Sequence, residues 1–211
     1  MGMPFTTRMS VVQLRDGSVW VSSPVPLPYE ARTEVTSLGP VRYLVSPTPR
    51  HFWRLARWHM LFPDAELWSS PMTPFTLKRG DLPLTGVLGA GLPRSWAPEL
   101  DHVVLGSSVL QESAFLHAPS GTLLIEDAIQ VHNPRPRHPI SNTVFRLGGV
   151  MGPDGGVSRD LRLTFRPRTT ARESVLHMLD WDFDTVVLAH GPIVTEKAKE
   201  FVARAFNWLI D

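Results

Sequence analysis

Three side chains able to do acid–base or metal chemistry stand just behind hydrophobic runs. His51 follows Leu44-Val45-Ser46 through the stiff loop Pro47-Thr48-Pro49-Arg50. Asp127 follows the run Leu123 to Glu126, and His190, with Gly191 behind it, follows Val186 to Ala189. Strand ends at one sheet edge are where open α/β folds collect sites, because the strands fix the backbone there while the loops stay free. Two imidazoles and a carboxylate form a nitrogen and oxygen ligand set, and three such ligands with one open position are the minimum that metal-assisted hydrolysis requires. Each also has a plainer reading: an Asp behind a strand caps loops by accepting backbone N–H groups, and a His-Gly pair can simply hold a sheet edge. The spacing sets His51 at a helix start, whose positive end disfavours the protonated form and suits a neutral ligand or base.

Other residues of chemical interest read more simply as structure. His117 alternates with Phe115 ahead of a tight turn, the pattern of a packed histidine. His132 and His138 flank the proline-rich sequence Asn133 to Pro139 and could close over a site from that loop. Arg135, Arg137, Arg166 and Arg168 are candidates for a phosphate or a nucleic-acid backbone, yet no aromatic residues interleave with them. The tryptophans at 53, 58, 68, 181 and 208 lie near apolar stripes, which favours core packing over ligand stacking. Gly148-Gly149 and Gly155-Gly156 lack the spacing and the lysine of a phosphate-cradling loop.

The elements that must position these groups follow from periodicity. Ser10–Leu14 and Ser18–Ser22, split by Arg15-Asp16-Gly17, read as a β-hairpin. Tyr29–Leu38 is helical, Val41–Ser46 a strand, and Phe52, Leu55, Trp58 and Leu61 recur at helical spacing up to Phe62. Glu66–Ser69 then completes a strand-helix-strand unit. Pro71 to Pro98 suggests a covering loop with one strand near Gly86–Leu88. A second meander covers Asp101–Gly106, Glu112–His117 and Thr122–Glu126. The loop Asn133–Pro139 precedes a short helix over Ser141–Leu147, and helices over Thr170–Leu179 and Thr195–Ile210 flank the strand Thr185–Ala189.

Composition bounds the function. The chain has 211 residues, 43% of them hydrophobic and 19% charged, with 20 prolines, and no stretch is polar or repetitive enough for a linker, so residues 1–211 are expected to form a single α/β domain. A formal charge of +1 provides no field for nucleic acid or an anionic membrane. With no cysteine, disulfides, thiolate ligands and a cysteine nucleophile are excluded. No apolar signal-peptide core opens the sequence and no run approaches a membrane span, which predicts a cytoplasmic protein with neither membrane nor nucleic-acid partner.

The order of hairpins, a strand-loop-helix near residue 45, a strand ending in Asp and a late strand ending in His-Gly resembles the metallo-β-lactamase superfamily. It looks most like an uncharacterised branch, through the phrases F-x-H-x-P-S-x-T-L-x-x-x-D at Phe115–Asp127 and W-D-F-D-x-V-x-L-A-H-G at Trp181–Gly191. The resemblance implies a four-layer αββα sandwich with a site at the exposed edge between two sheets, where active members hold one or two metal ions whose bound water attacks an ester, amide, thioester or phosphodiester. Residue by residue, the bridging Asp matches Asp127 and the last His ligand matches His190. The H-x-H-x-D-H motif falls on Pro47 to Phe52, with Pro47 and Pro49 at its first two His positions, His51 at its Asp and Phe52 at its last His. The middle His falls near Val109 or Leu110, where only the neighbouring Glu112 could reach inward.

The resemblance therefore implies a degenerate, at most mononuclear site in which His51, Asp127 and His190, with Glu112, hold one divalent ion (Zn, Mn or Fe) and its water for hydrolysis of a small-molecule substrate. The competing expectation is a metal-free, non-catalytic binding or scaffolding module on the same fold.

Overall fold

The computed structural model describes residues 7–73, 82–89, 91–97, 99–135 and 138–211. Ser10–Gln13 (β1) and Val19–Ser22 (β2) pair antiparallel, joined by a turn in which Asp16 accepts both the backbone N–H and the hydroxyl of Ser18 and Gly17 takes a left-handed φ of 80°. After helix α1 (Tyr29–Ser37), strand β3 (Val41–Ser46) pairs parallel to β2. Helix α2 (Leu55–Leu61) crosses over to β4 (Glu66–Ser69), and β5 (Leu84–Val87) adds a further parallel strand, giving the sheet order β1-β2-β3-β4-β5.

The second sheet has the order β10-β9-β8-β7-β6. It is built from β6 (Leu100–Val104), β7 (Ser113–His117), β8 (Thr122–Ile125), β9 (Thr185–Leu188) and β10 (Ile193–Val194). Between β8 and β9 run α3 (Pro139–Gly148), the single turn α4 (Arg159–Arg162) and α5 (Arg168–Asp180), and α6 (Ala198–Ile210) closes the chain. No helix among the described residues is long and apolar enough to cross a membrane.

Strand alternation explains the layering. In β2, Trp20 faces the space between the sheets while Val19 and Val21 face α1 and α2; in β8, Leu124 faces inward while Leu123 and Ile125 face α5 and α6. Trp20 joins the two sheets, its ring edge-on to Phe115 of β7 at 5.1 Å and to Trp96 at 6.0 Å. The result is the αββα sandwich expected from the resemblance.

Two expectations are corrected. Helix α2 begins at Leu55 rather than Phe52, because the His51 N–H closes a turn onto the Thr48 carbonyl and Leu55 closes the next onto Phe52. His51 thus sits in a bend, four residues ahead of Leu55, the first helical residue. Trp53 is not core: it is 76% exposed, stacked on Phe52 at 4.5 Å, whereas Trp58 and Trp181 are buried.

The arginines near the chain's end are held by backbone. Arg166 donates to the Leu163 carbonyl, and Arg168 and Arg172 donate to the Trp208 and Ile210 carbonyls at the end of α6, which are left without helical partners. Arg137 lies outside the described residues.

Candidate metal centre

β2, β3, β8 and β9 all point their C-terminal ends at one edge of the sandwich, since β2 runs parallel to β3 and β8 parallel to β9. β7 is antiparallel to β8, so the residue preceding β7 reaches the same edge from the opposite direction. Ser23, Thr48, His51, Glu112, Glu126, Asp127 and His190 meet there.

His51 Nε2 lies 3.2 Å from His190 Nε2, Asp127 Oδ1 lies 3.3 Å from His190 Nε2, and Asp127 Oδ1 lies 3.6 Å from His51 Nε2. The three residues each offer one ligand atom and stand out as a group able to hold an ion. A tetrahedral ion with bonds of about 2.0–2.1 Å separates its ligands by about 3.3–3.4 Å, so these three atoms match one face of such a polyhedron. The imidazoles keep 10% and 9% of their side-chain surface open to solvent and Asp127 keeps 3%, which leaves access from the histidine side.

Each ligand is oriented from behind. The Thr48 hydroxyl donates to Asp127 Oδ2 at 2.5 Å, leaving Oδ1 to face the imidazoles. His51 Nδ1 bonds the Ser23 hydroxyl at 2.8 Å and lies 3.4 Å from Glu126, itself held by the Ser22 hydroxyl. Ser23 reaches that position with φ of 54°, an unusual conformation for a residue with a side chain. An outer carboxylate or hydroxyl of this kind fixes the ring orientation of a metal-bound histidine. Gly191 follows His190 where a Cβ would press on the Leu188 side chain at 2.9 Å and on Val131 at 3.2 Å, so a side chain there would have to displace Leu188.

Glu112 does not join the ligand group. It is fully buried, and its two oxygens accept the backbone N–H groups of Glu126, Asp127 and Ala128 at 2.7–2.8 Å. Residue type and position pointed to a carboxylate near the site, and the carboxylate is there, but it clamps the backbone that carries Asp127.

Electrostatics reverse one expectation. Burial alone would lower His51, but its hydrogen bond to Glu126 and the charges of Asp127, Glu126 and Glu112 raise it to about 9. With no helix end beside it and three carboxylates within reach, the imidazole is a proton trap rather than the neutral group the sequence suggested. Burial pushes Glu112 up to about 8, with Asp127 and Glu126 adding to the rise and the backbone N–H groups opposing it. Asp127 would also rise on burial, yet hydrogen bonds from His190 and Thr48 and the charge of His51 hold it below the usual carboxylate range. This pocket is a well of negative charge, and a cation or an imidazolium must balance it.

A profile described as "Domain of unknown function (DUF4336)" matches residues 2–142, two thirds of the chain and three of the four residues expected at the site, His190 lying beyond it. The chain belongs to this family. No curated protein matches it. Among solved structures, the DUF4336 chain resembles the metallo-β-lactamase from Hirschia baltica at 13% identity with a TM-score of 0.59, covering 94% of this chain and 85% of that one. A protein crystallised in a di-iron-bound form matches at 16% identity with a TM-score of 0.63 over 96% and 95% of the two chains, and the chemotaxis sensor ODP, as a peroxy diiron species, at 13% and 0.59 over 98% and 87%. These likenesses establish a metallo-β-lactamase fold.

Against that fold's ligand pattern, Pro47 and Pro49 supply no ligand, and the Pro47 carbonyl instead accepts the Ser113 N–H. Val109 is exposed and Leu110 is core. His132 is buried against Phe145 with ring centres 4.0 Å apart, burial pushes it down to about 4, and it bonds Gln130 outside the ligand group. His117 bonds Ser120 at 2.7 Å, a structural histidine. Glu126 and Ser23 were not anticipated. A signal for Glu126 existed: it continues the inward-facing positions of β8 beyond Leu124, where an unpaired carboxylate is out of place. Nothing in the sequence marked Ser23.

Proposed function

We propose that this protein is a metal-dependent hydrolase with a single-ion centre, in which His51 and His190 donate Nε2 and Asp127 donates Oδ1. The observation that carries the reading is the triangle of those atoms, 3.2–3.6 Å on a side, at a solvent-reachable edge backed by two further carboxylates, Glu126 and Glu112. A divalent ion bound there would polarise a carbonyl or phosphoryl oxygen and acidify a water, which is the chemistry that hydrolysis at neutral pH needs.

The chain's own residues do the rest. Thr48 and Glu112 set the Asp127 carboxylate and its backbone, so that one oxygen faces the imidazoles. Ser23 and Glu126 take the proton on His51 Nδ1, which fixes the tautomer with Nε2 free. His190 presents Nε2 from the end of β9 without a competing side chain behind it, because Gly191 follows. The substrate is a small molecule entering from the histidine side.

A second reading has its own observation. Protonated His51 can donate Nε2–H to His190 and Nδ1–H to Ser23 or Glu126, which satisfies the cluster with no ion and suits a metal-free binding module. The test is turnover: protein reconstituted with Zn²⁺, Mn²⁺ or Fe²⁺ is assayed on 4-nitrophenyl acetate, a thioester and bis(4-nitrophenyl) phosphate. Metal-dependent hydrolysis of at least one, lost in a folded His190→Ala variant, supports the hydrolase. No turnover with any metal, or turnover that survives His190→Ala, rejects it in favour of the module.

A further inference from the structure

Beside His51 lies a cleft of about 370 Å³ whose walls differ from the rest of the edge. Val25 and Pro26 form an apolar side, Arg50 and Arg54 contribute two cations, and Trp53 stands exposed over it. Among the described residues, no carboxylate lines it. The carboxylates of the centre lie behind His51, which forms the cleft's inner limit.

Trp53 is the informative residue. A tryptophan 76% open to water gains little for folding, and neighbouring Phe52 stacks against it at 4.5 Å, holding a flat apolar surface toward solvent. Arg54 forms no ion pair or side-chain hydrogen bond among the described residues, and Arg50 has Asp160 within electrostatic reach. A guanidinium that forms no ion pair among the described residues, next to an indole and on a cleft lined by Arg50, His51, Val25 and Pro26, is equipped for an organic anion carrying a flat apolar body.

We infer that this cleft binds the substrate of the adjacent centre, and that the substrate is a free small-molecule carboxylate or phosphoryl anion with an aromatic or similarly flat apolar group. Arg54 takes the anionic group, assisted by Arg50, and Trp53 covers the apolar body. The labile bond then reaches past His51 toward the ligand triangle. In naming the substrate class this inference rests on the hydrolase reading, but binding itself does not require the ion.

Calorimetric titration tests it on chelated and on metal-reconstituted protein, using 2-naphthoate, 2-naphthylphosphonate and the neutral 2-naphthylmethanol. The two anions distinguish a carboxylate from a phosphoryl preference. Expected is saturable binding of at least one anion in chelated protein, about tenfold tighter than the alcohol, with that advantage lost in Arg54→Gln. Trp53→Ala should weaken anion and alcohol together, about fivefold. Equal binding of alcohol and anions, an unchanged affinity in Arg54→Gln, or no saturable binding overturns the inference. Saturable anion binding by protein that takes up no metal upholds the cleft and removes the hydrolase reading. Metal uptake without saturable anion binding does the reverse.

Discussion

Glu112 Oε2 accepts the backbone N–H of Asp127 at 2.8 Å, so the residue preceding β7 holds in place a residue two positions past the end of β8. The same carboxylate takes the N–H groups on either side, and all of these groups are buried. A buried N–H left without a partner costs about 1–3 kcal/mol, and here three would be orphaned together. Glu112→Ala should therefore lower unfolding free energy by roughly 3 kcal/mol or more in urea titrations. Apparent metal affinity should fall about tenfold or further as Asp127 loses its mooring. Unchanged stability would mean that the clamp has no energetic role.

Thr48 acts on the other side of the same residue. Its hydroxyl donates to Asp127 Oδ2 and accepts the Arg50 N–H at 2.9 Å. Thr48→Val keeps the shape and removes both bonds, at a cost of about 1–2 kcal/mol in stability. Metal affinity, followed by competition with a chromophoric chelator, should drop about tenfold. A variant binding metal as tightly as the parent would show that Oδ1 is aimed without Thr48.

The raised His51 gives a pH dependence with a definite sign. Its folded value of about 9 lies above the ordinary 6.5, so the folded state binds the proton more tightly than the unfolded one. That contribution is fully present below about pH 6.5 and is lost as pH rises through about 9. Metal-free protein should lose on the order of 2 kcal/mol between pH 6.5 and 9.5 from this group, and His51→Gln should remove that part of the loss. Parallel pH curves for the two proteins would contradict the charge balance described for the pocket.

The sandwich itself turns on Trp20, fully buried between the sheets against Phe115 and Trp96. Trp20→Ala should cost about 3–5 kcal/mol in a urea melt, whereas Trp53→Ala should stay within about 0.5 kcal/mol. Comparable losses in both would mean that Trp53 is a packing residue after all.

Strand signals proved the most legible part of the sequence. Val41–Ser46 and Glu66–Ser69 appear with the predicted bounds because short stretches carrying Val41, Tyr43, Leu44 and Val45, or Leu67 and Trp68, between proline-bearing turns leave a strand little alternative. Strand ends then placed His51, Asp127 and His190 at one edge. Helical periodicity misled at Phe52 and Trp53, where an apolar stripe continues through a bend that backbone hydrogen bonds impose. The role of Glu112 and the protonation of His51 were hidden for one reason: both depend on which groups from distant strands come within 3 to 4 Å, and residue spacing carries no such information.

The central claim is a one-ion centre of two imidazoles and one carboxylate, and metal stoichiometry addresses it most directly. Chelated protein is reconstituted with excess Zn²⁺, Mn²⁺ or Fe²⁺, desalted and analysed for metal by plasma mass spectrometry beside His51→Ala, Asp127→Ala and His190→Ala. The account predicts close to one ion per chain for one of these metals, with occupancy lost in all three variants while circular dichroism stays unchanged. Two ions per chain, none with any of the three metals, or one ion retained in the His190→Ala protein would contradict it.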